Sequence, residues 1–301
     1  MPIFIRRART VARRTTLLLA LLALAAWPVI TMARDTARAT TPAPSAADRA
    51  DAATSFSHAT WTAVLQRHVD RDGWVDYVGL ARDRADLDRY LASLRAVGPT
   101  ATPDRFPTHD DALAYYINAY NALVFEGVLA RKPATLKSVW GTFGIGYGFF
   151  VGMKVELDGL TTNLKKLEDV QIREGFGDPR IHAALNCASI GCPRLPQMAF
   201  EPATLDAQLD AAMREFARGA AHVQHTPGSR EVGLSKIFSW FQSDFVDWER
   251  AQADSAVDAS ASDDRALVAY VNRFRDADAQ LPTGADLRVT FLPYDKGLNR
   301  Q

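Results

Sequence analysis

The residues with the clearest chemical potential lie in one short segment of the chain. Both cysteines of the sequence, Cys187 and Cys192, stand in the stretch RIHAALNCASIGCP at residues 180–193, together with His182 and Asn186. A thiol beside an imidazole is the arrangement of nucleophilic cysteine enzymes, in which the imidazole accepts the thiol proton and a carboxylate or amide orients the ring. The segment therefore predicts a site where either cysteine could be the nucleophile and His182 the general base.

The same residues fit other kinds of site. In an oxidising compartment the two thiols could form a disulfide, provided that a loop ending at Pro193, rather than a regular helix, brings their Cα atoms together. His182 and the thiols could bind a metal, although a closed structural zinc site needs four ligands. Free cysteines can also be inert parts of a core. Residue types leave these alternatives open, and we predict neither a metal nor a cofactor.

Two further polar side chains, Asn118 and Asn121, interrupt an apolar stretch, YINAYNAL at residues 116–123. Amides on the buried side of a helix need hydrogen-bond partners. We expect them either to brace a loop by bonding to its backbone or to line the site.

Residues 1–33 have the pattern of an export signal. A segment with five arginines precedes an apolar run from Leu17 to Trp27, and small residues flank Met32. The pair Arg13-Arg14 also fits a twin-arginine signal, which would allow export in the folded state. We therefore expect a periplasmic or extracellular protein.

The mature chain is predicted to be a polar linker followed by one globular domain. Residues 34–54 are rich in Ala, Thr, Pro, Asp and Arg and are expected to be disordered, whereas residues 55–301 form the domain. Without the signal the chain has 30 basic and 35 acidic residues, which argues against nucleic acid as a partner. No other stretch is long enough to span a membrane. The expected partner is a small-molecule or peptide substrate.

Hydrophobic spacing predicts an α+β fold in which helices pack on a small, mostly antiparallel sheet. A loop rich in glycine and aromatic residues, at 140–152, is expected to wrap a pocket or simply to turn. The helices are predicted near residues 57–69, 83–96, 110–131, 161–173, 205–216, 237–245 and 264–274. The strands are predicted near residues 73–77, 149–157, 223, 232–234 and 287–291, with hairpin turns at Asp158-Gly159 and Pro227-Gly228. If residues 181–185 also form a strand and Asn186 begins a turn, His182 and Cys187 could face one cleft.

Several motifs resemble those of the bacterial and plant family catalogued as domain of unknown function 547. They occur in order between about residues 58 and 299, which covers nearly the whole predicted domain. The matching motifs are YINAYNAL at 116–123, NLKKLEDVQIR at 163–173, DPRIHAALNCASIGCPRLP at 178–196, LSKIFSWFQSDF at 234–245 and YDKGLN at 294–299.

The resemblance implies a fold similar to papain-like or transglutaminase-like cysteine hydrolases and a Glu-His-Cys site. Carried onto this chain, the three residues are Glu168, His182 and Cys187. Many relatives have Glu-His where this chain has Glu168-Asp169, which leaves His182 as the local histidine. Cys192, Asn186, Asn118 and Asn121 are candidate supporting residues.

Three functional hypotheses follow. The first is an exported cysteine-dependent hydrolase or acyltransferase acting on an amide or ester, with Cys187 as nucleophile, His182 as base and Glu168 as the orienting carboxylate. The second is a non-catalytic binding or scaffold domain whose cysteines are bridged or inert. The third is a thiol–disulfide redox protein.

Overall fold

The computed structural model describes residues 55–141, 146–258 and 260–301 of the chain. The predicted signal at 1–33 and the predicted linker at 34–54 lie outside these residues. Helices and short strands are mixed in an α+β arrangement, and the strand pairs are mostly antiparallel, so the predicted fold class is confirmed. No helix within the described ranges has the length and apolar character that crossing a membrane would require.

The N-terminal half is built around one long helix. Helices α1 (Ala59–His68), α2 (Tyr77–Arg82) and α3 (Ala85–Ala96) precede α4 (His109–Leu129). Helix α4 begins with a capping box between Thr108 and Asp111, and almost all of its side chains from the second turn onward are buried. Its apolar sequence therefore predicted its central position correctly.

The strand predicted at 73–77 is wrong. Only Val75 forms isolated bridge contacts there, with Val69 and Arg300. The side chain of Asp76 accepts a hydrogen bond from the backbone N–H of Gly79 and so starts helix α2.

A hairpin and a helical segment follow α4. Residues Tyr147–Val151 form a π-helical turn, and strands β1 (Val155–Leu157) and β2 (Leu160–Thr162) pair antiparallel. Asp158 and Gly159 both have positive φ angles, as their predicted hairpin turn requires. The strand predicted over 149–157 is thus wrong in its first half.

The next helix begins later than predicted. Threonines 161 and 162 belong to β2, and Asn163 instead accepts the N–H of Lys166 at 2.8 Å. Helix α5 (Leu164–Lys166) then continues into a π-helix, Leu167–Glu174.

The segment that precedes the cysteines is a 3-10 helix, Pro179–Ala183, and not the strand that was considered at 181–185. Pro179 occupies the first turn, and the Asp178 side chain accepts the N–H of Arg180. A proline at the first position and an Asp cap both favour a helical turn over an extended chain. The strand is therefore wrong.

The described residues of the C-terminal half include four α-helices and a three-stranded sheet. The helices are α6 (Leu205–Arg218), α7 (Lys236–Trp240), α8 (Gln242–Ala251) and α9 (Asp263–Asn272). The strands are β3 (Val223–His225), β4 (Glu231–Leu234) and β5 (Arg288–Phe291). Strand β4 lies in the middle, antiparallel to β3 and parallel to β5.

The buried apolar side chains of the fold form two groups. One surrounds α4 with α1 to α3, and the other lies between the three-stranded sheet and helices α6, α8 and α9. The segment that precedes and contains the cysteines contributes to both, since Ile181 and Leu185 belong to the first group and Ala183 to the second. The candidate site is therefore located where the two groups meet.

Candidate functional site

Two buried amides fix the loop that contains the cysteines. Asn121 of α4 accepts the N–H of Asn186 at 2.9 Å and donates to the carbonyl of Ala184 at 3.0 Å. Asn186 in turn donates to the carbonyl of Pro193 at 2.9 Å and accepts the N–H of Ala188 at 2.9 Å. These bonds join the beginning of the loop to its end.

Asn118 has the same role for another loop. Its side chain donates to the carbonyl of Phe200 at 2.7 Å and accepts the N–H of Phe200 at 3.0 Å. Both asparagines of α4 therefore brace backbone, which was one of the two roles predicted for them.

The loop brings the two cysteines into contact as free thiols. The sulfur atoms lie 2.6 Å apart, and the backbone N–H of Cys187 donates to the sulfur of Cys192 at 3.0 Å. The hydroxyl of Tyr294 lies 3.0 Å from the sulfur of Cys187 and 3.2 Å from that of Cys192. A single hydroxyl thus contacts both sulfurs.

The thiol pair is set up to share one proton. The contact with Cys192, together with burial, raises the pKa of Cys187 well above its ordinary value. Burial also opposes ionisation of Cys192, but hydrogen bonds from Cys187, Tyr294 and the backbone outweigh it, so the pKa of Cys192 is lowered. Because the two thiols interact, the pair loses its two protons in separate steps. Loss of the first proton is easier than loss of the second.

Tyr294 reaches the sulfurs because the end of the chain returns to the cysteine loop. The N–H groups of Ile190 and Gly191 donate to the carbonyls of Gly297 and Asp295 at 2.8 and 2.9 Å. A Cβ atom on Gly191 would lie 2.8 Å from the Tyr294 ring, so only glycine fits at this position. Burial, followed by the nearby thiols, raises the pKa of Tyr294, which therefore remains a hydrogen-bond donor. Tyr294 was not predicted as a site residue, although it begins the YDKGLN motif.

The ring of His182 contacts a carboxylate and two aromatic rings, those of Phe241 and Phe245. Its Nε2 atom lies 2.8 Å from Oδ2 of Asp244, and its ring stacks on Phe241 with centroids 4.0 Å apart. Arg173 forms two further hydrogen bonds with Asp244, at 2.8 and 2.9 Å. Burial lowers the pKa of His182 despite its hydrogen bond to Asp244. The ring is therefore neutral near pH 7, with its proton on Nε2 facing the carboxylate and an unprotonated Nδ1.

The carboxylate that orients His182 is Asp244 rather than Glu168, which corrects the arrangement implied by the family resemblance. Oε2 of Glu168 instead accepts the hydroxyl of Tyr120 at 3.1 Å. Burial raises the pKa of Glu168 to about 7, although the hydrogen bond from Tyr120 opposes this shift. Asp244 was missed, and the available signal was its place in the LSKIFSWFQSDF motif.

All four reactive side chains that the sequence singled out line one cavity of about 500 Å³. These are Glu168, His182, Cys187 and Cys192. Most of the remaining wall is aromatic or aliphatic, and its members are Tyr120, Trp140, Tyr147, Phe150, Val151, Leu185, Ile237, Trp240, Phe241 and Tyr294. The predicted supporting residues Asn118, Asn121 and Asn186 stabilise the loops behind the cavity rather than its wall.

The part of the chain from residue 104 to residue 217 matches the model of a family described as "Protein of unknown function, DUF547". This match supports assignment of the chain to that family. The match includes α4, Glu168, His182 and both cysteines, whereas Asp244 and Tyr294 lie beyond its C-terminal end. No curated protein and no solved structure matches the chain.

The cavity brings thiol and imidazole groups together. Among the described residues, no group of three or more His, Cys, Asp or Glu side chains is arranged to hold a metal ion. A thiol whose pKa is lowered, as that of Cys192 is, and an imidazole hydrogen-bonded to a carboxylate are groups that a nucleophilic cysteine mechanism uses.

Proposed function

We propose that the domain is an exported cysteine-dependent hydrolase or acyltransferase that acts on an amide or ester. The observation that supports this most directly is that the thiol pair lines the same cavity as His182, whose ring is hydrogen-bonded to Asp244 behind the wall. A thiolate is the attacking species in such chemistry, and the second imidazole nitrogen can accept a proton from the next nucleophile.

Cys187 is the proposed nucleophile and Cys192 its proton acceptor. Cys187 is half-buried, whereas only 6% of Cys192 is exposed, so an acyl carbon in the cavity reaches Cys187 first. The sulfur of Cys187 bonds to the acyl carbon while its proton passes to Cys192, 2.6 Å away. Cys192 then returns this proton to the departing oxygen or nitrogen, which leaves a thioester on Cys187.

His182 is proposed to act in the second half of the reaction. Its unprotonated Nδ1 accepts a proton from water or another acceptor as that nucleophile attacks the thioester. The Asp244 carboxylate, 2.8 Å from Nε2, stabilises the imidazolium that forms. The thiolate of Cys187 leaves and regains its proton, which restores the starting state.

Trapping of the acyl-enzyme tests this proposal. The reduced protein is mixed with p-nitrophenyl acetate, and acetylation is located by mass spectrometry of its peptides. We expect acetyl on Cys187 in the wild type, none in Cys187→Ala, and accumulation of acetylated enzyme in His182→Ala because its second half-reaction is slowed. Equal hydrolysis by the wild type and Cys187→Ala would contradict the proposal.

A second candidate is thiol–disulfide exchange, which the 2.6 Å contact between the sulfurs favours. In that reaction one thiolate attacks a substrate disulfide, and the other cysteine then displaces the substrate thiol to leave a Cys187–Cys192 disulfide. This chemistry requires both sulfurs, whereas acylation of Cys187 survives in Cys192→Ala at a reduced rate. Disulfide reduction by the wild type that is lost in Cys192→Ala, without any acetylation of Cys187, would favour this candidate.

The proposed export depends on the sequence of residues 1–33 alone. The twin arginines give it a direct test, since replacement of Arg13 and Arg14 by lysine should retain the protein in the cytoplasm if the twin-arginine route is used. Fractionation of cells together with N-terminal sequencing of the product would report both the compartment and the cleavage position.

A further inference from the structure

The wall of the cavity around the thiols is mainly aromatic and aliphatic. We infer that it binds an uncharged substrate through an extended apolar acyl group, so that the acyl carbon lies beside Cys187. The acyl transfer in this statement rests on the proposed function, whereas the binding of an apolar ligand does not.

The first observation is the chemistry of the exposed wall. The rings of Trp140, Trp240 and Tyr294 contact one another, with centroid distances between 4.8 and 5.8 Å. Trp240 is 40% exposed and Tyr147, on the same cavity, is 64% exposed. Large apolar side chains exposed around one opening are typical of a surface that binds a ligand.

The second observation is that the two cations of the cavity wall already have anionic partners. Lys165 forms an ion pair with Asp169, and Arg173 contacts Asp169 at 2.9 Å and Asp244 at 2.8 Å. A ligand carboxylate that entered the cavity would have to displace these partners, and an unpaired buried charge is strongly disfavoured. Lys296 lies over the Trp140 ring at 5.1 Å but does not line the cavity.

The third observation is the size of the cavity. Its volume of about 500 Å³ exceeds what the reacting amide or ester group needs. It lies within the range of small-molecule sites, roughly 300 to 1,000 Å³. The space beyond the thiols is bounded mainly by rings and aliphatic side chains, so a hydrocarbon chain fills it with the largest gain from the hydrophobic effect.

Binding of a neutral amide series tests the inference without any chemical step. Butanamide, octanamide and octanoate are titrated into the reduced protein, and binding is followed by tryptophan fluorescence, because Trp140 and Trp240 line the cavity. Burying a methylene group strengthens binding by up to about fourfold, so octanamide should bind at least about tenfold more tightly than butanamide. Octanoate should bind at least about tenfold more weakly than octanamide, since its charge lacks a partner.

Variants locate the site. Trp240→Ala and Tyr147→Ala should each weaken octanamide binding and reduce its advantage over butanamide. Met198→Ala is the control, because Met198 is also an exposed apolar residue, at 55%, but lines a separate surface cavity.

Two results would overturn the inference: equal affinities for butanamide and octanamide, or octanoate binding as tightly as octanamide. The proposed function fails separately. If octanamide binds as expected but acetyl never appears on Cys187, the apolar binding site is supported and the proposed acyl transfer is refuted. If Cys187 is acetylated and octanamide does not bind, the proposed acyl transfer is supported and the proposed substrate class is refuted.

Discussion

At the scale of single residues, Tyr294 links the thiol chemistry to the last residues of the chain. Its hydroxyl contacts both sulfurs, and a donor beside a sulfur stabilises the thiolate more than the neutral thiol. This residue stands 102 positions after Cys192, so spacing along the sequence gave no reason to connect the two.

Replacement of Tyr294 by phenylalanine should therefore make the thiols less acidic. We expect alkylation of the pair by iodoacetamide at pH 7 to become about tenfold slower, because a hydrogen bond to a charged group contributes about 1.5 kcal/mol or more. The rate is measured against pH, and its midpoint should move to higher pH. Tyr147→Phe is the matched control on the same cavity, and an equal shift in that variant would contradict the role of Tyr294.

Glu168 should make the protein less stable as the pH rises. Its pKa in the folded protein is about 7, above the ordinary value of 4.5, so the folded state holds the proton over a range where the unfolded state has lost it. The contribution is absent below the unfolded pKa, and the stability falls as the pH rises from 4.5 to 7.

Chemical denaturation of the wild type and Glu168→Gln at pH 4 and pH 8 measures this effect. We expect the stability of the wild type relative to the variant to fall by up to about 3 kcal/mol between the two pH values. A difference that is the same at both pH values would show that the carboxyl of Glu168 is not desolvated in the folded protein.

The sequence identified the reactive residues better than their partners. Residue types alone singled out His182, Cys187 and Cys192, and the resemblance added Glu168, all of which line the cavity. The carboxylate of His182 could not be predicted from local spacing, because Asp244 lies 62 residues away on α8. Such a contact depends on how α8 packs against the 3-10 helix, which no short pattern encodes.

At the scale of elements, helix α4 supplies a matched pair of buried amides. Asn118 and Asn121 lie on the same helix and each forms two hydrogen bonds with the backbone of a loop. Only the loop braced by Asn121 contains the cysteines. A comparison of substitutions at the two positions therefore distinguishes a loss of stability from an effect on the site.

Replacement of either asparagine by alanine should destabilise the fold by about 2 to 4 kcal/mol, because backbone groups are left buried without partners. Thermal denaturation would report this loss for both variants. Thiol alkylation under native conditions should change in Asn121→Ala and remain as in the wild type in Asn118→Ala. If both variants altered the thiols equally, the specific link between α4 and the cysteine loop would be refuted.

Sequence patterns predicted long and strongly periodic elements well. The sequence predicted five helices near their observed positions, namely α1, α3, α4, α6 and α9. It also predicted the turn at Asp158-Gly159. The errors fall on short segments such as 73–77 and 181–185, where one capping aspartate or a proline outweighs the apolar pattern. The π-helix at Leu167–Glu174 also has no distinct sequence signal.

At the scale of the whole molecule, the end of the chain ties the first helices to the cysteine loop. The backbone of Asn299 accepts the N–H of Val75 at 3.0 Å and donates to the carbonyl of Ala188 at 3.2 Å. Its buried side chain accepts the hydroxyl of Tyr77 at 2.9 Å and donates to Asn186 at 3.3 Å. One residue thereby joins three segments that are far apart in sequence.

Asn299→Ala should lower the free energy of unfolding by roughly 2 kcal/mol, because its side-chain hydrogen bonds are buried. It should also slow thiol alkylation, since the segment that positions Tyr294 loses an anchor. Gln301→Ala, at the exposed end of the same segment, is the control and should leave both measurements near the wild-type values. Loss of stability without any change at the thiols would show that Tyr294 is held independently of Asn299.

The central claim is that the cysteine pair holds a reactive thiolate near neutral pH. Its most direct test is alkylation of the reduced, natively folded protein by iodoacetamide as a function of pH, with mass spectrometry to locate the adduct. We predict that Cys187, the more exposed sulfur, is modified readily below pH 7, well under the ordinary thiol pKa of about 8.5. If neither cysteine reacts until the pH exceeds that value, the pair is not activated and the proposed cysteine chemistry is contradicted.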